Sequence, residues 1–350
     1  VYLGTDGGVA RTTNSGTSYT TINGNMNIAQ VYKVGLSAIT PSRLVTGMQD
    51  NGCNLLTTGT SWSQIYGGDG MDCFISWNND NTIVESYVNG DFRRSTNGGG
   101  AWTTITVGLS GTAAWVAPIV QDPSNANTFY CGYQKVFKST NQGTSWTMLG
   151  NVGGGSLDEV KVAPSNTQYI YCSNAGSIYK TSNGGTNWYN ITGIVTQSAS
   201  ITDIGISNTN PNNIWVTLSG YASGQKVYHS MDAGITWTNV SQGLPNIPVN
   251  CIVYKNNSPD EIYVGTDVGV YYRQASMNSW MPYYTGLPNI IIDDMEIYYP
   301  TGKLRAASYG RGVWETSLYS NPGVPPAAMF STLFSPACAG TALQFNDLSG

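Results

Sequence analysis

Short apolar runs alternate with polar turns along most of the chain. The runs are rich in Val, Ile, Tyr, Phe and Trp, and the segments between them contain Gly, Asn and Pro. This pattern predicts β-strands joined by tight turns. One representative stretch predicts four strands, near 157–163, 169–173, 177–181 and 187–191. No amphipathic helix longer than about two turns is indicated, so we expect an all-β fold.

A polar motif recurs between the third and fourth predicted strands of each group. It reads Ser/Thr, any residue, Asn/Asp, any residue, Gly, any two residues and an aromatic residue. The five copies contain Asn14, Gly16 and Tyr19; Asn97, Gly99 and Trp102; Asn141, Gly143 and Trp146; Asn183, Gly185 and Trp188; and Asp232, Gly234 and Trp237. Two degenerate copies end at Trp62 and Trp280. The seven aromatic residues are 43, 40, 44, 42, 49 and 43 residues apart, which is the period of a four-stranded propeller blade.

The residue types of this motif suit a structural turn. An Asn or Asp side chain can accept hydrogen bonds from backbone amides two residues on, and Gly takes the positive φ that a tight turn needs. The aromatic residue supplies apolar surface for the neighbouring sheet, and the indole N–H of a Trp is free to find a partner. Five similar sites around a ring do not converge on one substrate. We therefore interpret the motif as structural rather than catalytic or calcium-binding.

The number of blades does not follow directly from the number of predicted strands. The chain supplies the last three strands of one unit, six complete units, and the first three strands of a final unit. A seven-bladed ring, which we favour, leaves an extra piece, whereas an eight-bladed ring leaves two incomplete blades. A third alternative is that the terminal pieces belong to another propeller whose sequence precedes residue 1.

The repeat pattern stops near the end of the sequence, where a segment rich in Pro and Gly begins. We assign residues 1–318 to the propeller, 319–326 to a Pro/Gly linker and 327–350 to the first strands of a truncated β-sandwich. The chain begins inside a repeat, so we expect any signal segment to lie outside it.

Composition excludes several classes of protein. Charged residues are only 10% of the chain, the net charge is −5 and no basic run is present, which argues against nucleic acid binding. There is no apolar stretch of about 20 residues, so no membrane span is predicted. The six cysteines form no CxxC pair and the chain has a single histidine, which argues against a zinc site. Cys131 and Cys172 occupy the same position in adjacent repeats, which favours buried free thiols over a disulfide, and His229 is expected to be a packed strand residue.

The repeated motif is similar to the Asp-box, or BNR repeat, found in sialidases, sortilin-like ectodomains and the tandem-propeller xyloglucanases of glycoside hydrolase family 74. The stretches "GTDGGVARTTNSG", "VTGMQDNGC", "YGGDGMDC", "DPSNANTFYCGY" and "SYGRGVWETSL" resemble the sortilin-like or family-74-like propellers of large secreted Bacteroidota proteins. The resemblance covers residues 1–318. The tail resembles the opening of a PKD domain, and such proteins often end in a type IX secretion sorting domain. A secreted or cell-surface protein is implied.

Strand direction places the candidate functional residues. In a propeller the Asp-box turns lie on one face, whereas the turns between second and third strands and the loops between blades share the other, which we call the upper face. The polar residues predicted on the upper face are Asp6, Gln49, Asp50, Asn51, Asp69, Asp72, Asp91, Asp267, Tyr309 and Arg311.

We favour a binding, adhesion or scaffolding module whose upper face recognises a glycan or an extracellular protein. The acidic face and the 23 Tyr and 10 Trp residues motivate this interpretation. No cofactor is predicted, although an acidic face could accept a calcium ion. Other domains of the same long chain are expected as partners.

The alternative is part of a tandem-propeller glycoside hydrolase acting on a β-glucan such as xyloglucan. Such chemistry requires two carboxylates about 5 to 10 Å apart. The "GGDG" segment resembles the Asp-bearing loop in the second propeller of family 74, which makes Asp69 the candidate acid or base. In that family its partner comes from the first propeller, and Asp50 or Asp72 are nearby substitutes. A sialidase is disfavoured because the Arg-Ile-Pro motif is missing, and no Ser–His–Asp triad is supported around His229.

Overall fold

The computed structural model describes residues 1–5, 8–24, 28–193, 195 and 199–320, together with the backbone of Ser331–Thr332. Throughout these ranges the strands pair antiparallel with their neighbours in sequence, forming seven four-stranded sheets and one three-stranded sheet. The all-β propeller of four-stranded blades predicted from the sequence is confirmed. In the representative stretch the observed strands are Glu159–Val162, Ile170–Asn174, Ser177–Thr181 and Tyr189–Asn190.

Each blade is a simple meander that runs from the innermost to the outermost strand. Blades 1 to 4 are β4 (Val31–Leu36), β5 (Leu44–Met48), β6 (Gly52–Thr58) and β7 (Ser61–Tyr66); β8 (Cys73–Ser76), β9 (Asn79–Tyr87), β10 (Asp91–Ser95) and β11 (Thr103–Thr104); β12 (Ile119–Gln121), β13 (Phe129–Gly132), β14 (Val136–Ser139) and β15 (Thr147–Gly150); β16 (Glu159–Val162), β17 (Ile170–Asn174), β18 (Ser177–Thr181) and β19 (Tyr189–Asn190). Blades 5 to 7 are β20 (Ile201–Ile206), β21 (Ile214–Leu218), β22 (Val227–Ser230) and β23 (Thr238–Asn239); β24 (Val249–Tyr254), β25 (Ile262–Thr266), β26 (Gly269–Arg273) and β27 (Met281–Pro282); β28 (Ile292–Tyr298), β29 (Lys303–Ser308), β30 (Gly312–Ser317) and β31 (Ser331–Thr332). Short 3₁₀ turns lie at Val88–Gly90 and Tyr299–Thr301.

The ring closes between blade 7 and blade 1. The amide of Val34 donates to Asp294 Oδ2 at 2.9 Å, and the amide of Leu36 donates to Glu296 Oε2 at 2.9 Å. Apolar side chains of both blades pack at this junction: Val31, Leu44, Ala307 and Val313. Seven blades therefore complete a ring, as the sequence favoured.

A three-stranded unit remains outside this ring. It consists of β1 (Tyr2–Thr5), β2 (Gly8–Arg11) and β3 (Thr20–Thr21), with a copy of the repeat motif between the last two strands. All four residues of β1 are exposed. The unit has the strand order of a blade without its innermost strand.

The hydrophobic core is divided among the junctions between blades. At the junction of blades 2 and 3, for example, buried aromatic residues from both blades meet: Phe92, Phe129, Phe137 and Trp146. The Phe74 and Phe129 rings lie edge to face with centroids 5.2 Å apart. Apolar burial of this kind is the main source of stability for such a ring.

The repeat motif forms a closed network of hydrogen bonds. In the copy at 139–146, the Ser139 hydroxyl accepts the amide of Gly143 at 2.8 Å and donates to Asn141 Oδ1 at 2.8 Å. Asn141 Oδ1 also accepts the amide of Ser145, four residues on, at 3.0 Å. The prediction that the Asn side chain accepts the amide two residues on is wrong. The amide of Gly143, two residues after Asn141, donates to the Ser139 hydroxyl instead. The Trp146 indole donates to the carbonyl of Ile105 in the preceding blade at 2.6 Å, so this turn also links two blades, as do those of Trp102 and Trp237.

Two smaller predictions from the sequence can be checked on the described residues. The cysteines in these ranges, Cys53, Cys73, Cys131, Cys172 and Cys251, are free and buried as expected, whereas Cys338 lies outside them. His229 packs in a strand as expected: it stacks on Trp215 with ring centroids 4.3 Å apart, and burial, opposed by Asp260, lowers its pKa to about 4. None of the helical turns in the described part of the chain is long and apolar enough to cross a membrane.

Candidate functional site

The loop that carries Asp69 meets the turn that carries Asp50. The amide of Asp50 donates to Asp69 Oδ1 at 2.8 Å, and the amide of Gly70 donates to the carbonyl of Met48 at 2.9 Å. The bond between Asp50 and Asp69 joins the turn between β5 and β6 to the loop between blades 1 and 2. These two kinds of connection share the upper face, as strand direction predicted.

Glycines allow this loop to lie directly on its neighbours. A Cβ at Gly70 would come within 2.3 Å of the carbonyl oxygen of Gly52, which is a backbone atom that cannot move aside easily. Gly68 has a φ of +87° and lies under the ring of Tyr87. The backbone on both sides of Asp69 is thus closely confined, and its half-buried carboxylate accepts the Asp50 amide.

An arginine flanked by aromatic rings lies beside this loop. The Arg93 guanidinium is 4.4 Å from the ring centroid of Tyr66 and 5.5 Å from that of Tyr87. It also pairs with Asp91 Oδ2 at 2.5 Å. The carboxylate of Asp91, one of the residues predicted for the upper face, is therefore engaged by a cation of its own blade.

The remaining predicted residues of the upper face have different environments. Gln49 Oε1 accepts bonds from other side chains of the face, and the Asn51 side chain donates to the carbonyl of Gln49 at 3.0 Å. Asp267 accepts a bond from the Asn250 side chain at 3.1 Å. Tyr309 and Arg311 are exposed. Asp6 lies outside the described residues.

Asp72 faces the central channel rather than the surface around Asp69. Its two oxygens accept the amides of Cys73 at 2.8 Å and of Ile119, in the next blade, at 2.9 Å. Burial raises the pKa of Asp72 to about 6, although Lys33 acts in the opposite direction. Its carboxylate joins two blades, so the structure does not bring it together with Asp69 on one open surface.

The channel wall holds an ionic network that the sequence did not predict. Lys33 Nζ lies 3.3 Å from Glu159 and 3.9 Å from Asp294, while Lys161 Nζ lies 2.9 Å from Asp203 and 3.3 Å from Glu159. These residues belong to the innermost strands of blades 1, 4, 5 and 7. The available signal was the presence of charged residues within the first strands of blades 1, 4, 5 and 7. A cavity of about 300 Å³ lies against this network.

Glu85 is a buried carboxyl group near the Asp69 loop. It is 1% exposed, and the nearest cationic group, Arg93 Nη1, lies 3.6 Å away, too far for a hydrogen bond. Burial raises its pKa from 4.5 to about 8, and the ion pair with Arg93 opposes this effect only in part. The folded protein thus retains a proton that the unfolded chain releases.

This difference predicts a pH dependence of stability. Because the pKa is higher in the folded state, we expect Glu85 to lower the free energy of unfolding as pH rises from 4.5 to 8, by at most about 1.4 kcal/mol per pH unit. Glu85→Gln keeps a neutral side chain of the same shape and should remove this loss. Urea unfolding at pH 5, 6.5 and 8 would test it. Parallel pH profiles for the variant and the wild type would contradict the prediction.

Within the described ranges, no group of three or more His, Cys, Asp and Glu side chains is arranged to hold a metal ion.

Comparison with known proteins finds partial sequence similarity to a xyloglucanase. No family model matches the chain. A xyloglucanase of Hypocrea jecorina (strain QM6a) is 26% identical over 166 residues, which are 46% of this chain and 20% of the relative. The chain thus spans about a fifth of the length of that curated relative.

Solved structures share the fold at low identity. An ancestral GH74 enzyme superposes with a TM-score of 0.70 and 19% identity, covering 85% of this chain and 46% of that protein. The GH74 xyloglucanase from Xanthomonas campestris gives 0.67 and 12% identity, covering 88% and 55%. YCF48 bound to D1 peptide gives 0.62 and 13%, covering 85% and 95%. The chain shares the β-propeller fold of these proteins and covers about half the length of each of the two GH74 enzymes.

Proposed function

We propose that this chain forms one propeller of a two-propeller glycoside hydrolase that cleaves a β-glucan such as xyloglucan, with Asp69 as its catalytic carboxylate. The observation that carries the proposal is the fixed position of Asp69 on the upper face, where the Asp50 amide holds one carboxylate oxygen at 2.8 Å. A catalytic group must be held in this way to act repeatedly on one bond.

The second carboxylate of the pair is assigned to a neighbouring propeller. Glycosidases place their two carboxyl groups about 5 to 10 Å apart. Asp72 is engaged by two backbone amides, and Asp91 pairs with Arg93. Asp50 is exposed and adjacent to Asp69, so it is the alternative partner within this chain.

Two further observations support a second propeller. Seven blades close a ring without β1, β2 and β3, which form an incomplete blade outside it. The xyloglucanase and GH74 relatives are also about two to five times as long as their matching regions. These relatives favour the hydrolase over the non-catalytic binding module that the sequence alone led us to prefer. We also propose that the protein is secreted and that a PKD-like domain follows the linker.

The test is hydrolysis by the full-length protein. We expect it to release oligosaccharides from xyloglucan or mixed-linkage β-glucan, detected as new reducing ends and identified by mass spectrometry. Starch, an α-glucan, is the control substrate and should not be cleaved. If no β-glucan is cleaved, the hydrolase proposal fails and the upper face is a binding surface for a glycan or a peptide.

A further inference from the structure

Six side chains from separate parts of the chain meet at the upper mouth of the central channel. They come from the segment before blade 1, from blades 1 and 7, and from the loop between blades 2 and 3. We call them the mouth cluster: Gln30, Tyr32, Gln49, Trp115, Asp293 and Tyr309.

Hydrogen bonds fix the floor of this cluster. The Tyr32 hydroxyl and the Gln30 side chain both donate to Gln49 Oε1, at 2.5 and 2.6 Å. The Trp115 side chain also acts on the Tyr32 hydroxyl, opposing the rise in the pKa of Tyr32 that burial causes. The two bonds to Gln49 join residues 17 and 19 positions apart in sequence, so the floor is built by the fold rather than by one local turn.

Two aromatic side chains form the sides of the cluster and remain open to solvent. Trp115 is 49% exposed and Tyr309 is 41% exposed. The Tyr309 ring lies edge to face with Tyr32, with centroids 6.2 Å apart. Large aromatic residues at the surface that are also oriented by neighbours commonly mark binding sites.

Asp293 supplies a polar group that has no partner among the described residues. Its Oδ2 is buried without a hydrogen bond, whereas its neighbour Asp294 accepts the amide of Val34 at 2.9 Å. Leaving a buried polar atom unpaired costs free energy that a ligand can recover. Burial, opposed by Lys33, raises the pKa of Asp293 to about 7, so near neutral pH the carboxyl group can accept or donate a hydrogen bond.

The charges around the cluster favour an uncharged ligand. Asp294 and Asp267 both act on Asp293 with negative charge. Lys33, the cation that acts on the same group, is committed to Glu159 and Asp294. An anionic ligand would meet net negative charge, whereas a neutral ring with several hydroxyl groups would find acceptors, donors and apolar faces.

We propose that the mouth cluster binds one neutral sugar residue of a glycan chain, packed against Trp115 and Tyr309 with its hydroxyl groups on Asp293 and Gln49. The site is separate from Asp69 but continuous with it, because Gln49 and Asp50 are consecutive and the Asp50 amide holds Asp69. A chain cleaved at Asp69 could thus extend across the channel mouth. The proposal relies on the proposed function only for the choice of glycan.

Binding of cellotetraose to the full-length protein tests this site. Isothermal titration calorimetry in an Asp69→Asn background prevents cleavage of the probe. We expect Trp115→Ala to weaken binding about tenfold, the value of one lost aromatic contact, and Asp293→Leu to have an effect of similar size. Trp77→Ala is the matched control, because Trp77 is 40% exposed and follows the innermost strand of blade 2 at the opposite, lower end of the channel. It should leave the Kd unchanged.

Several outcomes would overturn the proposal. They are unchanged binding in both Trp115→Ala and Asp293→Leu, an equal loss in Trp77→Ala, or tighter binding of tetragalacturonate than of cellotetraose. Thermal unfolding of each variant separates loss of the site from loss of the fold. A failure of β-glucan hydrolysis would not affect these binding measurements, so this proposal and the hydrolase proposal can fail independently.

Discussion

Asp69→Asn is expected to reduce oligosaccharide release by the full-length protein about 100-fold or more, the range usual for removal of an acid or base. An Asn side chain retains an oxygen that can accept the Asp50 amide, now 2.8 Å from Asp69 Oδ1. The loop should therefore keep its position while the ionisable group is lost. Initial rates of reducing-end formation on xyloglucan give the effect, and kcat rather than KM should fall.

Neighbouring carboxylates provide the controls. Asp91→Asn changes a carboxylate that is already paired with Arg93, and it should affect the rate far less than Asp69→Asn. Asp50→Asn tests the alternative partner within this chain: a loss as large as that of Asp69→Asn would place both catalytic carboxylates in this propeller. Full activity of Asp69→Asn would remove Asp69 from the mechanism.

The blade architecture could be predicted because its signal is local. Each repeat turn is stabilised by bonds between residues two to four positions apart, such as Ser139 to Gly143 and Asn141 to Ser145. The sequence motif therefore reports the turn directly, and its spacing reports the blade. The shared upper face of Asp50 and Asp69 follows from strand direction alone.

The channel network and the mouth cluster could not be predicted in the same way. Lys33 and Glu159 are 126 residues apart and meet only because the ring brings blades 1 and 4 together across the channel. Tyr32, Trp115 and Asp293 likewise come from different blades and from a loop. Asp72 shows the same limit: its motif suggested an open surface, but its position at the start of an innermost strand places it against Ile119 of the next blade.

Lys33→Met is expected to destabilise the propeller by about 3 to 5 kcal/mol at pH 7, the usual effect of removing one member of a buried ion pair. Burial opposes the charge on Lys33, but Glu159 and Asp294 outweigh it and hold its pKa well above 10.5. Met fills a similar volume, so the loss arises mainly from Asp294, which loses its ion-pair partner, and from Glu159, which keeps only Lys161. Urea unfolding followed by tryptophan fluorescence measures the change in the free energy of unfolding.

The pH dependence of the Lys33→Met effect distinguishes an electrostatic loss at Glu159 and Asp294 from a packing defect. Protonating the carboxylates relieves their mutual repulsion, so the destabilisation caused by Lys33→Met should be smaller at pH 5 than at pH 7. Adding Asp294→Asn to Lys33→Met should recover part of the lost stability, because Asn can still accept the Val34 amide that now binds Asp294 Oδ2. Lys303→Met is the matched control, since the Lys303 ammonium makes an exposed hydrogen bond to the Ser317 hydroxyl, and it should change stability by less than about 0.5 kcal/mol. A pH-independent loss without recovery in the double variant would assign Lys33 a packing role instead.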